Sequence, residues 1–272
     1  MYRLIAFDLD GTFLDDSKHI PPDNLRAITD AAEKGICIVP TTGRLYRGLP
    51  KEIADLPFVR YCILINGAKV YDAAEDTVIS RAELSKETAL ALMDHACEIG
   101  CFYDAYIDDM GYMDRDMYEH LDDIVPDTAY VRYMRSIRTP IDSLKDYIRF
   151  REGTVQKVQY FFGDPAERLR QLELMPKLFP QVKSSSSIAS NMELNAIDAH
   201  KGFALRELCS HLGISTSEAI AFGDGLNDLE MICEAGMGVA MSNAEEKVLA
   251  AANRITGSNN GAGVARAIYE LI

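Results

Sequence analysis

The chain has 272 residues, of which 48% are hydrophobic and 26% charged, a composition that is ordinary for a globular protein and excludes a largely disordered one. Its net charge of −14 argues against a nucleic acid or an anionic membrane as partner, but it does not exclude a small anionic substrate at a locally positive site. No apolar run approaches a membrane-spanning length, and acidic residues interrupt the first apolar stretch too early for a signal peptide.

The first eighty residues alternate between predicted strands and helices. Apolar runs at 4–7, 36–39 and 61–65 predict buried strands, and the spacing of apolar residues over 22–34 predicts a helix. Short loops between such elements are typical of a doubly wound, mostly parallel sheet with helices on both faces, a Rossmann-like α/β core. Ligands of such sheets bind outside the carboxyl ends of the strands.

From residue 82 the pattern changes to α+β. A hairpin is predicted over 101–113, a strand over 155–162 and a helix over 165–178. The first pattern returns near residue 190, followed by a predicted helix from residue 201 and a strand at 219–222. We therefore expect a core domain made of 1–81 and 190–272, with a second domain, 82–189, inserted into it.

Two acidic clusters follow predicted strands. Asp8 and Asp10 come directly after the first strand, and Asp224, Asn227 and Asp228 follow the strand at 219–222. Each cluster alone is also the composition of an ordinary turn. Taken together, they bring three or more carboxylates to one edge of the sheet, where they repel one another unless a hard cation binds them. Oxygen ligands without a histidine cluster favour Mg²⁺ over zinc.

Other residues near the predicted strand ends suit an anion. Thr42 offers a hydroxyl, Gly43 lets a backbone N–H approach an anion, and both precede a helix N-terminus. Thr12 is expected to donate its hydroxyl back into the turn that follows the first strand. Lys201 begins a helix and would ordinarily be a solvated surface residue. Its position between the two acidic strand ends makes it a candidate cation for the same site.

The cysteines are scattered among apolar neighbours and form no CxxC pair. We therefore expect free, mostly buried thiols in a reducing cytoplasm, with metal binding as the less favoured alternative. The residues are Cys37, Cys62, Cys97, Cys101, Cys209 and Cys233.

Five short motifs occur in an order that spans the whole chain. DLDGT at 8–12, TGR at 42–44, NG at 66–67, KG at 201–202 and GDGLND at 223–228 resemble the ordered motifs of the haloacid dehalogenase-like hydrolase superfamily. The chain is most similar to the Cof-type phosphatases, which carry a large α/β cap between the second and third motifs. Single motifs such as KG are weak signals, but the ordered set is specific.

This resemblance implies a role for each matching residue. Asp8 would be the nucleophile that forms an aspartyl-phosphate, and Asp10 would be the general acid–base. Mg²⁺ would be held by Asp8, the backbone carbonyl of Asp10, and Asp224, with Asp228 completing the metal site from behind these ligands. The transferring phosphoryl group would be bound by Thr42, Gly43, Lys201, Asn227 and the backbone N–H of Leu9, and Asn66 would reach the phosphate or the substrate.

The predicted function is a Mg²⁺-dependent phosphatase of small phosphorylated metabolites, with sugar phosphates as the leading class. A phosphotransferase or phosphomutase with the same intermediate is the enzymatic alternative, and a phosphoacceptor switch is the non-enzymatic one. The resemblance further implies that the inserted domain closes over the site and reads the leaving group. Monomer and homodimer both stay open.

The inserted domain has an acid-rich stretch, 104–127, followed by a base-rich stretch, 132–157. The favoured interpretation is a pair of solvated faces that partly form salt bridges. The alternative is that one face selects the substrate, in which case charge reversal at Arg132, Arg135 or Arg138 would change the substrate ranking.

Overall fold

A computed structural model describes residues 1–125, 128–186 and 190–272. Its strands are β1 (Leu4–Phe7), β2 (Cys37–Pro40), β3 (Tyr61–Leu64), β4 (Lys69–Asp72), β5 (Thr77–Arg81), β6 (Phe102–Ile107), β7 (Met110–Asp114), β8 (Arg138–Ile141), β9 (Lys157–Phe161), β10 (Val182–Ser185), β11 (Asn191–Ala196), β12 (Ala219–Gly223), β13 (Met237–Ala240) and β14 (Arg254–Ile255). Its α-helices are α1 (Pro22–Glu33), α2 (Lys51–Ala54), α3 (Lys86–Glu98), α4 (Arg115–Glu119), α5 (Leu121–Ile124), α6 (Thr128–Ile137), α7 (Leu144–Phe150), α8 (Pro165–Leu178), α9 (Lys201–Leu212), α10 (Leu229–Glu234), α11 (Glu246–Ala251) and α12 (Gly263–Leu271). None of these helices is long and apolar enough to cross a membrane.

The chain divides into two compact units, one made of Met1–Arg81 and His200–Ile272 and the other of Ala82–Ala199. The sequence predicts that the insertion ends at residue 189, which lies outside the described residues, and that the core resumes at residue 190. The structure differs here because β11 pairs antiparallel with β9 and β10, both in the second unit. The apolar pattern of β11 predicts a strand, but it does not say which sheet that strand joins.

The first unit is built on a five-stranded parallel sheet in the order β14-β13-β12-β1-β2. Strand β1, which lies between β12 and β2, is apolar and fully buried. Because side chains alternate along a strand, Leu4 and Ala6 pack with α9 and α10, whereas Phe7 on the other face stacks on Phe13. The predicted α/β class with a mostly parallel core is confirmed.

The sequence predicts a third strand of the mostly parallel sheet at 61–65, and the structure differs from this prediction. β3 meets the main sheet through one parallel bridge between Thr41 and Ile63, and it otherwise pairs antiparallel with β4. β4 pairs in turn with β5, which gives a separate three-stranded sheet. The bridge still places the residues after β2 and β3 beside each other, as the predicted site requires.

The second unit contains a six-stranded sheet in the order β10-β11-β9-β6-β7-β8. The predicted hairpin over 101–113 and the predicted helix over 165–178 are confirmed by β6, β7 and α8. Apolar residues of β6, β9 and β11 on one face pack with residues of α3 and α8. The opposite face carries buried polar residues, among them Asp104, Lys157, Gln159 and Glu193.

Charged residues of the second unit pair locally. At the surface, Arg135 Nη2 lies 2.7 Å from Asp122 Oδ2. Arg138 Nε lies 2.7 Å from Asp104 Oδ2, and both of these side chains are buried. Reversing the charge of Arg138 would bury two carboxylates side by side, so this variant would test folding rather than substrate selection. Asp127, which belongs to the acid-rich stretch, lies outside the described residues.

Candidate active site

The two acidic clusters lie at the carboxyl ends of neighbouring strands. β1 and β12 are adjacent and parallel, with Phe7 opposite Phe222, so the loops that begin at Asp8 and after Gly223 leave the same edge of the sheet. One carboxylate oxygen from each of Asp8, Asp224 and Asp228 lies within 4.8 Å of the others. The structure thus brings together three of the four predicted metal-site residues through their side chains.

The turn after β1 is shaped to let Asp224 approach. Gly11 has a φ of 83°, and a Cβ atom at this position would collide with the Asp224 carboxylate, so glycine is required for both conformation and space. Thr12 Oγ1 donates to Asp224 Oδ1 at 2.6 Å. The sequence predicts a bond within the turn of Thr12 itself, whereas in the structure the hydroxyl donates to the carboxylate that follows β12.

Lys201 is fully buried at the start of α9 and is not the surface residue that a helix-start lysine usually is. Its Nζ donates to Asp8 Oδ1 at 2.6 Å and to Asp228 Oδ1 at 2.5 Å. The other oxygen of Asp228 accepts the N–H groups of Asp224 and Gly225 at 3.0 Å each. Both oxygens of Asp228 are therefore engaged by the protein, which leaves Asp8 and Asp224 better placed to bind a cation.

Burial and mutual repulsion perturb these groups. Burial, with the neighbouring carboxylates, raises the pKa of Asp8 well above its usual value against the opposing effect of Lys201. Burial and Asp228 raise the pKa of Asp224 to about 7. Burial alone would lower the pKa of Lys201, but the two carboxylates it contacts outweigh burial and raise it. One ammonium thus faces three carboxylates.

A divalent cation fits this donor set. Within the described residues, the cluster offers only carboxylate oxygens, with no histidine or cysteine among its members. Hard oxygen ligands of this kind suit Mg²⁺ rather than zinc. The side chain of Asp10 is not a member of this cluster, and the role of its backbone carbonyl stays a prediction.

The predicted phosphate-binding residues also lie close together. Thr42 is buried, and its carbonyl accepts the N–H of Asn66 at 3.0 Å. Asn66 has a left-handed φ of 59°, and its Oδ1 accepts from Asn227 Nδ2 at 3.2 Å. A Cβ atom on Gly43 would lie 2.8 Å from Asn66 Oδ1, so only glycine fits beside this amide without displacing it.

Two cations to which the sequence pattern assigns no role contact Asp10. Arg44 donates to both of its carboxylate oxygens, and Lys18 donates to one of them. Burial raises the pKa of Asp10, but Arg44 and Lys18 outweigh burial and lower it below its usual value. The TGR motif pointed to Arg44 without showing its partner, and nothing in the sequence around Lys18 marked it.

Comparisons with known proteins agree with the resemblance drawn from the motifs. The model of the family described as haloacid dehalogenase-like hydrolase matches residues 5–268. "Putative phosphatase YxeH" of Bacillus subtilis is 33% identical, with 100% of this chain and 99% of that protein covered. The 5-amino-6-(5-phospho-D-ribitylamino)uracil phosphatase YcsE of the same species is 29% identical, with 98% and 94% covered. A solved haloacid dehalogenase-like hydrolase of B. subtilis is 28% identical with a TM-score of 0.86, covering 99% of this chain and 100% of the other.

Proposed function

We propose that this phosphatase, which belongs to the haloacid dehalogenase-like hydrolase family, hydrolyses small phosphorylated metabolites through an aspartyl-phosphate on Asp8, with Mg²⁺ as cofactor. The observation that carries the proposal is the convergence of Asp8, Asp224 and Asp228 around the buried ammonium of Lys201. A carboxylate nucleophile suits attack on a phosphate ester when cations offset the repulsion between the two anions, and Lys201 and a bound Mg²⁺ would supply that charge.

In the first step, a carboxylate oxygen of Asp8 bonds to phosphorus and the bond from phosphorus to the leaving oxygen breaks. Asp10 gives a proton to that oxygen, so the alcohol departs neutral. Lys201 offsets the negative charge of the phosphoryl group, while Thr42 and Asn227 contact its oxygens. An incoming phosphate dianion favours the protonated form of Asp10, which the two cations beside it disfavour.

In the second step, Asp10 takes a proton from water, the water oxygen bonds to phosphorus, and the bond to Asp8 breaks. Inorganic phosphate leaves and Asp8 is a free carboxylate again. Bound Mg²⁺ supplies positive charge that offsets the repulsion between carboxylate and phosphate. Asp8, Asp224 and the backbone carbonyl of Asp10 would hold it, and Asp228 would orient the loop of Asp224.

We propose sugar phosphates as the leading substrate class. The name of the relative YcsE describes a substrate phosphorylated on a ribityl chain, which supports a small polyhydroxylated phosphate ester for this protein too. A screen of phosphorylated metabolites with and without Mg²⁺ tests this, and sugar phosphates should rank above nucleotides. A reversed ranking would contradict the proposed class.

The same screen separates the alternatives. For hydrolysis, inorganic phosphate appears at the rate of substrate loss. Substrate loss that outpaces phosphate release would indicate transfer to a second substrate, as in a phosphotransferase or a phosphomutase. A long-lived phosphoprotein without turnover would indicate a phosphoacceptor switch.

We expect Mg²⁺ to stabilise the protein more strongly above about pH 7 than below it. With its pKa raised to about 7, Asp224 favours folding of the metal-free protein at low pH, and this contribution is lost as the pH rises through that value. Mg²⁺ binds the deprotonated carboxylate, so its effect grows over the same range. Thermal melts in chelator and in Mg²⁺ should diverge between about pH 6 and about pH 8.

Asp224→Asn is the control for this titration, because the amide carries no proton to displace. Its melting temperature should show a smaller Mg²⁺ effect, and the pH dependence that remains should come from Asp8. An equal Mg²⁺ effect at both pH values in the unaltered protein would contradict the assignment of Asp224 as a ligand.

We also propose a cytoplasmic location. All six cysteines lie within the described residues and are free thiols. Burial raises the pKa of Cys37, Cys62 and Cys101 to about 12, so these thiols are unreactive and suit a reducing compartment.

A further inference from the structure

Arg44 contacts the carboxylate of Asp10 in a bidentate manner, through two nitrogen atoms. Arg44 donates from Nε to Asp10 Oδ2 at 2.8 Å and from Nη2 to Oδ1 at 2.6 Å. Lys18 Nζ donates to the same Oδ1 at 2.7 Å. A planar guanidinium that meets both oxygens holds a carboxylate in one plane and one rotation, which a single ammonium contact cannot do.

Arg44 is itself anchored on three sides. Its Nη1 donates to the carbonyl of Gly48 at 3.0 Å. Its backbone N–H donates to Thr42 Oγ1 at 3.2 Å, and its carbonyl accepts the N–H of Ile65 at 3.1 Å. The loop after β2 therefore holds the guanidinium through Gly48, and the loops after β2 and β3 hold the backbone of Arg44, so that the guanidinium has contacts of its own besides Asp10.

The side-chain conformation of Asp10 depends on its contact with Arg44, because packing alone does not determine it. Its side chain is 39% exposed, whereas that of Arg44 is 18% exposed. A partly exposed aspartate can occupy several rotamers, and a general acid acts only within about 3 Å of the atom it protonates. From this geometry we infer that Arg44 is a positioning residue, which aims Asp10 at the leaving oxygen. The inference rests on the proposed role of Asp10.

Lys18 contributes less to the same arrangement. It meets one oxygen only and its side chain is 58% exposed, so its ion pair is weakened by solvent. A turn in which Lys18 has a left-handed φ of 65° places it there. The two cations thus predict a graded series, with Arg44 far more important than Lys18.

Leaving-group dependence tests the inference. The value of kcat/KM reports steps up to phosphoenzyme formation, where the proton of Asp10 matters for an alkyl ester but little for an activated aryl ester. Arg44→Gln should lower kcat/KM by about 30-fold or more for an alkyl ester and by less than about threefold for p-nitrophenyl phosphate. The alkyl probe is glucose 6-phosphate, or ribose 5-phosphate if the unaltered protein turns over that ester faster.

A second measurement follows the second step. With p-nitrophenyl phosphate, Arg44→Gln should show a burst of p-nitrophenol followed by slow turnover, because a misplaced Asp10 activates water poorly. Arg44→Lys should restore only part of both effects, since an ammonium cannot meet both carboxylate oxygens. Lys18→Gln should change either probe by less than about threefold.

Two further variants make the result decisive. Arg47→Gln removes an exposed cation from the same segment and should leave kcat/KM unchanged for the alkyl ester and for p-nitrophenyl phosphate. Asp10→Asn should reproduce the leaving-group dependence of Arg44→Gln more strongly. Equal losses for both esters in Arg44→Gln would overturn the inference, because that pattern marks phosphate binding or a general structural role. If Asp10→Asn itself lacks the dependence, the proposed function of Asp10 fails instead.

Discussion

Asp8→Asn is expected to abolish phosphate release while the protein stays folded. Asparagine keeps the shape of the side chain but lacks the carboxylate that attacks phosphorus, so kcat should fall by at least about 10⁴-fold. Because burial raises the pKa of Asp8, removing its charge relieves a desolvation cost and offsets the lost contact with Lys201. Phosphate release and a thermal melt on the same preparation measure the two effects.

The labelled intermediate provides a second readout of this variant. Acid quenching with phosphorus-labelled substrate should trap a phosphoprotein in the unaltered chain and none in Asp8→Asn. Asp10→Asn, which keeps the nucleophile, should accumulate label from an aryl ester.

Asp72→Asn is the matched control for Asp8→Asn. Asp72 is also a buried aspartate of the first unit, and it pairs with Arg60 at 2.7 Å. Its amide variant should retain activity even where it lowers the melting temperature. Release by Asp8→Asn above about 1% of the rate of the unaltered protein would assign the attack on phosphorus to another group.

The meeting of Asp8 and Asp224 could be predicted from the sequence because it depends on backbone topology. Each follows an apolar run, apolar runs with short loops predict parallel strands, and parallel strands end at a common edge. Thr42 and Asn66 could be placed by the same rule. The meeting of these carboxylates can therefore be predicted without knowledge of side-chain conformations.

The hydrogen bonds within the site could not be predicted, because they depend on side-chain directions across long sequence separations. Thr12 bonds to a carboxylate 212 residues away rather than to its own turn. Arg44 reaches Asp10 across 34 residues, and a long flexible side chain has many partners compatible with one sequence pattern. The TGR motif therefore indicates that Arg44 belongs to the site, but it does not indicate the contact with Asp10.

The sheet that a strand joins could not be predicted for the same physical reason. β11 has a pattern that suits either unit, and pairing with β9 decides its place. No helix is predicted over 128–137, where charged residues obscure the apolar periodicity, whereas the structure has α6 there with a one-sided apolar face. Local patterns predict what an element is more reliably than where it packs.

Lys201→Met is expected to damage both stability and catalysis. The change keeps the volume of the side chain but leaves Asp8 and Asp228 without their shared cation in a buried site. Breaking a buried ion pair from one side costs about 3–5 kcal/mol. The value of kcat/KM should fall by about 10³-fold or more, because the positive charge facing the phosphoryl group is lost.

The pH dependence of this variant follows from Asp8. Without the ammonium, the pKa of Asp8 rises further above its unfolded value, so the variant is least destabilised at low pH and loses stability as the pH rises. Unfolding free energies measured at about pH 5 and about pH 8 should therefore differ more for Lys201→Met than for the unaltered protein.

Lys157→Met is the control that distinguishes an effect of Lys201→Met on stability from an effect on catalysis. Lys157 is equally buried in the second unit and pairs with Glu193 at 2.9 Å, so its replacement should cost a similar free energy of unfolding. Assayed below its melting temperature, it should retain kcat/KM within about fivefold on p-nitrophenyl phosphate. If Lys201→Met matched Lys157→Met in activity as well as in stability, the ammonium would be a structural counter-ion for Asp8 and Asp228 and no part of phosphoryl transfer.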